Sequence, residues 1–196
     1  GSENDSPSRE LSRFIAEVVP VYVADFTVRQ IYRSDRFMRG GDQESFQDAG
    51  YAAAIRFVES HENFTHQHQD VRIENGVQYG DLPQFIDPQY LRRATQANVA
   101  ALATLALGPA PPGSVQMPLR RLGYDTTIRW KPAAGAVSYE ILWRFTDASQ
   151  WEHARNVGNV TEATVSVSKD DDVIAVRSVD ADGLRSPAVY PVAVRE

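Results

Sequence analysis

Cysteine is missing altogether from this 196-residue chain. Its absence excludes disulfides, thiol catalysis and zinc sites built on thiolates, while leaving the compartment open, since many secreted proteins also lack cysteine. No run of lysines and arginines occurs, and the net charge is -6. A nucleic-acid footprint or an anionic membrane surface would need the opposite sign, so neither partner is expected. Long apolar runs are missing too. The longest is broken by polar residues, and neither a membrane span nor a signal peptide is legible. The chain opens on Gly1-Ser2 instead of methionine, so a processed product or a piece of a longer protein is expected.

What is present is enough for a core: 42% of the residues are hydrophobic and aromatics are in ordinary supply. The length allows one large or two modest domains, and two are expected. Asn4 to Ser8 offers cap chemistry ahead of Leu11, Phe14, Ile15, Val18 and Val19. Their helical spacing predicts a helix over about 8–22, kinked or ended by Pro20. Alternation predicts a short strand over 26–32, before a charged stretch over 33–39. After Gly40-Gly41 the reading is a helical turn over 45–49, a stop at Gly50 and a buried strand over 51–58. Asp87-Pro88 is a helix start for a run over about 89–107. There Leu91, Ala94, Thr95, Asn98, Leu102, Leu105 and Ala106 form a stripe expected to pack on a sheet.

Between that strand and that helix lies ENFTHQHQDVRIENGVQYGD, residues 62–81. With His61 it gathers three of the chain's four histidines among carboxylates. Phe64, Val71, Ile73, Val77 and Tyr79 supply more apolar anchoring than a solvated linker needs, which points to binding instead of disorder. In an extended chain His66, His68 and Asp70 would share one face, and imidazole plus carboxylate is a zinc ligand set. The plain alternative is a polar loop whose histidines are solvated or bonded to backbone.

The periodicity changes at Gly108-Pro-Ala-Pro-Pro-Gly113, which reads as a stiff linker. Residues 1–108 form the first unit, 109–113 the linker and 114–196 the second. Beyond it, strands are expected over 126–130, 138–145, 151–157, 163–168, 173–179 and 189–194, making an all-β antiparallel sandwich. Pro112, Trp130 in TTIRWKP, Tyr139-Glu140-Ile141 in SYEILWR, and IAVRSVDADGLRSP carry a resemblance to fibronectin type III domains. The chain departs from that family at Asp172, where a tyrosine usually opens the sixth strand. Trp143 and Trp151 could form a sugar platform but read first as strand packing, and Asp170-Asp171-Asp172 could bind calcium but reads first as a charged turn before a strand.

The first half, about 7–107, resembles the C-terminal portion of metallopeptidase family twenty-eight, the di-zinc exopeptidases that include bacterial leucine aminopeptidases and glutamate carboxypeptidase. GGDQESFQDAGYAAAIRF follows the family's glycine-or-serine, Asp-His, Ser-Phe, Ala-Gly-Tyr pattern. ENFTHQHQDVRIENG follows the segment that ends in Gln-His and supplies the last zinc ligand. On that match the resemblance implies His68 as a metal ligand and an α/β fold of a sheet with helices. His66 and Asp70 have no matching role and stay weaker candidates. Asp42-Gln43 stands where the family often has Asp-His, which leaves Asp42 to orient a ligand from behind, or simply to serve as a turn or cap residue. The family's His-x-Asp ligands, its Glu-Glu pair and a further Asp would fall before Gly1.

The resemblance therefore implies part of a secreted or periplasmic zinc exopeptidase acting on peptide substrates. Two zinc ions would activate a bridging water in the complete enzyme, and a glutamate would pass its proton to the leaving amine. The missing N-terminal half of the catalytic domain would be the chain's partner, and alone the chain is expected to be inactive. A second reading is a non-catalytic binding or interaction protein, as in the transferrin receptor ectodomain, with the sandwich as spacer or adhesion module. A third has His66 and His68 holding one zinc in an independent site.

Overall fold

The computed structural model describes residues 6–32, 40–119 and 123–195; the charged stretch over 33–39 lies outside them. Helix α1, Pro7–Tyr22, begins where the cap chemistry places it: the Ser6 hydroxyl accepts from Arg9 N at 3.2 Å and Pro7 occupies the first turn. Pro20 falls in its last turn, and the helix ends two residues later. A short helix α2 spans Asp42–Asp48. Strands β1, Arg72–Glu74, and β2, Val77–Tyr79, form a small hairpin, followed by a 3-10 turn, Pro83–Phe85. Helix α3, Pro88–Leu107, is capped by Asp87, whose carboxylate accepts from Gln89 N at 2.8 Å and Tyr90 N at 3.1 Å.

Helices α1 and α3 pack through Phe14, Ile15, Val18 and Val19 against Ala97, Ala100 and Ala101. Alanines let the backbones approach, so α3 turns its 97/100/101/104 face to α1. The stripe expected to pack on a sheet is the other face, and Leu91, Leu102 and Leu105 on it are exposed. The two strands expected over 26–32 and 51–58 do not form; among the described residues neither segment carries a ladder. Phe26, Val28 and Ile55 lean on the α1–α3 core, but Tyr51, Phe57 and Val58 are exposed, so 51–58 is not buried. A strand exists only through its neighbour's backbone, and among the described residues neither segment has one. Among the described residues the first half is thus two long helices, the short α2 and a hairpin, and the expected sheet with helices is not formed by these residues.

The second half is a two-sheet sandwich. Strands β3 (Gly113–Pro118), β4 (Thr126–Lys131), β7 (Glu162–Val165) and β9 (Val192–Val194) make one sheet in the order β7-β4-β3-β9. Strands β5 (Ser138–Phe145), β6 (His153–Gly158) and β8 (Asp172–Val179) make the other, in the order β6-β5-β8. Pairing is antiparallel except between β3 and β9, which run parallel. The interior holds Val115, Ile128, Trp130, Tyr139, Ile141, Val165, Ile174 and Val176, with the rings of Trp130 and Tyr139 tilted at 5.4 Å. The Tyr139 hydroxyl accepts from Ala133 N at 2.9 Å, tying the β4–β5 connection to the core.

The outer face of the β5–β8 pair is buried as well. On it lie Glu140, Leu142 and Arg144 from β5 and Ala175 and Arg177 from β8, all buried. An antiparallel sheet ordinarily leaves its second face to water. Here a small second cluster of Leu142, Ala175 and Ala188, flanked by Trp151 and Tyr190, sits on that face, and α1 is bonded to its rim. Trp143 and Trp151 pack against different clusters, so they do not make one platform.

Candidate metal-binding segment

Residues 63–80 fold into a compact loop held by local bonds. The Asn63 side chain accepts from Thr65 N at 3.0 Å and Thr65 Oγ1 at 2.7 Å, and its backbone carbonyl accepts from both His66 N and Gln67 N at 3.1 Å. This is an asparagine-initiated turn, which winds the histidines instead of extending them. His68 ends it in the left-handed region at φ 54°. Gly80 N returns to Thr65 O at 3.0 Å and closes the loop.

The turn separates the residues that alternation would have aligned. His66 lies flat on Phe85, ring centroids 3.6 Å apart and planes within 5°, and is half-buried. His68 and Asp70 are exposed. His61 shares a 3.0 Å hydrogen bond with Ser60. Among the described residues no three histidine, aspartate or glutamate side chains come together as a metal site, so the expected shared face of His66, His68 and Asp70 is not realised. The reason is local: a shared face needs extended backbone throughout, and the Asn63 turn with its left-handed His68 removes it.

Beyond the turn, Asn75 at φ 50° and Gly76 at φ 78° make the two-residue connection of β1 and β2, the primed turn that matches strand twist. Arg72 stacks over Tyr79 at 4.1 Å and bonds Glu74 and Gln69. Phe64, Val71, Ile73 and Val77, expected to anchor the loop by burial, are exposed, Ile73 at 74%. Gly80 is required by space as well as by its φ of 112°, since a Cβ there would fall 2.8 Å from Val71 Cα.

Asp42 opens α2 and is exposed, with Gly41 as the cap residue. Gln43, standing where the family often has histidine, is buried, and its Oε1 has no hydrogen-bond partner among the described residues. The Arg56 guanidinium donates to Gly40 O, fastening the glycine pair to the 51–58 segment.

The best-bonded polar cluster lies elsewhere and was not legible as a site. Glu10 of α1 accepts from Trp151 Nε1 at 3.2 Å, Ala188 N at 3.1 Å and Tyr190 OH at 3.1 Å. Burial pushes its carboxyl above the usual range, outweighing the donors and the Arg13 charge that favour ionisation. Burial and the nearby Glu10 charge raise the Tyr190 phenol. Burial also pushes Glu140 up, yet Arg185 and Arg177 together hold it below the usual range. The helix charges sit at positions 10, 13 and 17, a spacing that marks one face but reveals no partner.

No family model matches the chain. Its sequence is similar to proteins named probable zinc metalloprotease. One from Leptosphaeria maculans is 48% identical over 193 residues, covering 97% of this chain and 44% of the relative. Another from Pyrenophora tritici-repentis is 46% identical, covering 97% and 40%, and one from Pyricularia oryzae is 45% identical, covering 97% and 39%. The chain spans less than half the length of these curated relatives, and the similarity includes both its helical part and its sandwich. Among solved structures, a fibronectin type III-like protein from Clostridium thermocellum is similar over 45% of this chain and 94% of its own, at 19% identity and a TM-score of 0.38.

Proposed function

We propose that this chain is one portion of a zinc-dependent exopeptidase of the family-twenty-eight type, which removes residues from peptide N-termini outside the cell. The observation that carries the reading is the similarity to proteins named probable zinc metalloprotease, which runs through 97% of the chain. The fold supports an incomplete catalytic half. Helix α3 is apolar on two faces, as buried helices are, and among the described residues the strand-like segments over 26–32 and 51–58 have no ladder. A sheet contributed by the rest of a longer protein would cover the first and pair the second.

In this reading His68 contributes one ligand to a two-zinc centre. An exposed imidazole at the end of a fixed turn fits one ligand position and no more. The remaining donors and the general base belong to the rest of the protein, and no step of hydrolysis is assigned to these residues. Asp42 could orient a ligand from α2, and His66, stacked on Phe85, holds the turn.

Zinc stoichiometry and turnover in the longer protein test this. His68→Ala is expected to remove one zinc and most peptidase activity while leaving the fold intact, because a ligand in an open catalytic site contributes little to folding. His66→Ala is expected to do far less. A reversed pattern would place the ligand at His66, and a longer protein that neither binds zinc nor cleaves peptides would favour the non-catalytic interaction protein. The chain by itself is expected to give no turnover of amino-acid anilides with added zinc.

A further inference from the structure

Helix α1 has two faces of opposite chemistry. Phe14, Ile15, Val18 and Val19 meet α3. Glu10, Arg13 and Glu17, on the other side, would ordinarily be a solvated stripe. Instead Glu10 is 4% and Arg13 0% exposed. We propose that the outer face of β5–β8 is a socket for this charged face of α1, so that the sandwich is a fixed structural partner of the helical layer and not a tethered spacer.

The bonding is specific across the junction. Arg13 Nε donates to Ser149 O at 2.9 Å and its Nη1 to Tyr190 OH at 2.9 Å, while that same hydroxyl donates to Glu10. The Tyr190 oxygen is thus fully used, as acceptor from one helix residue and donor to another. Glu10 closes the set through Trp151 and the Ala188 amide. One turn and more along the helix, Glu17 takes Arg177 Nη1 on both carboxylate oxygens at 2.9 Å, and Arg177 Nε continues to Glu140 at 2.7 Å. Arg185 completes that chain on Glu140. Three separate stretches of the sandwich, around Ser149–Trp151, Arg177 and Ala188–Tyr190, therefore converge on one helix face. A buried charge without such partners is strongly unfavourable, so the buried Glu10, Arg13, Arg177 and Glu140 specify the docked arrangement.

A second attachment lies at the junction itself. Pro109 is buried against Gly135, where a Cβ would lie 3.6 Å from Pro109 Cα. Ala110 N donates to Ala134 O at 3.1 Å. A Cβ on Gly108 would stand 3.3 Å from Arg185 O. The stretch that composition marks as a linker is packed onto the sandwich, so the two parts are joined at the junction and again through α1. None of this depends on peptidase chemistry.

Spin-label distance measurement on the full chain tests the proposal without reference to activity. The absence of native cysteine allows labels at Val99→Cys on the outer side of α3 and Arg155→Cys on β6, both exposed. One narrow distance distribution is expected in the parent, broadening severalfold in Glu10→Ala/Arg13→Ala. Tyr190→Phe keeps the ring and removes only the bridging hydroxyl, so it serves if the double variant does not fold, and is expected to broaden the distribution less. A broad distribution in the parent, or one unchanged in every folded variant, overturns the socket.

Discussion

Glu10 is the residue whose behaviour most directly reports the packing around it. Its folded-state carboxyl titrates above the ordinary value, so between the two values the folded chain holds a proton that the unfolded chain releases. That contribution is present in full below the unfolded value and is lost as pH rises through the raised one. Glu140 has the opposite sign: its contribution is present above the ordinary value and lost as pH falls through the depressed one. The denaturant midpoint is therefore expected to rise as pH falls through the raised Glu10 value and to fall again in acid below the ordinary carboxylate value. Glu10→Gln should flatten the first limb and leave the second, and urea titration across pH checks both. In the sandwich, Trp130→Ala should cost about 3–5 kcal/mol, because the ring fills the interior between the sheets. Trp130 could be picked out as core from TTIRWKP alone. Glu10 and Arg13 could not, since the residues that bury them lie 136 to 180 positions away.

At the scale of elements, legibility followed locality. The caps at Ser6 and Asp87 and the alternation of the later strands are written within a few residues, and α1, α3 and most sandwich strands stand where they were expected. The segments over 26–32 and 51–58 have strand-like sequences but no ladder, because pairing is supplied from outside a segment. The β1–β2 hairpin lies inside the stretch expected to be a histidine-bearing loop, and Asn75-Gly76 between apolar residues is its signal in the sequence. Gly76→Val should open the hairpin, since a β-branched residue resists a φ of 78°; loss of the Arg72–Tyr79 neighbourhood in NMR spectra would show it. Helix α3 gives the sharper contrast. Leu102 is 68% exposed, so Leu102→Lys should change this chain's stability by no more than about 0.5 kcal/mol. If a longer protein covers α3 with a sheet, as proposed above, the same change should be disruptive there, because a lysine would meet that sheet. Parallel thermal melts of the two proteins separate the cases.

For the whole molecule, the docked α1 predicts a single unfolding event. All three tryptophans lie in the sandwich while α1 and α3 lie outside it, so fluorescence follows one part and helical circular dichroism follows the other. The two curves are expected to superimpose in the parent and to separate in Glu10→Ala/Arg13→Ala. The sandwich itself was readable from its short strands and turn residues; its attachment was not, because a periodicity change marks where units meet and says nothing of what lies between their surfaces. The attachment also sets an order of events on the ribosome. Helix α1 is made before the sandwich, but Tyr190, which bridges its Glu10 and Arg13, is separated from Glu10 by 180 residues. At about 5–20 residues per second the helix would wait roughly 10–40 seconds for its socket. During that interval its charged face is solvated at no cost, whereas its apolar face needs α3, which emerges sooner; the nascent chain can build its helical layer before the last strands arrive to lock it.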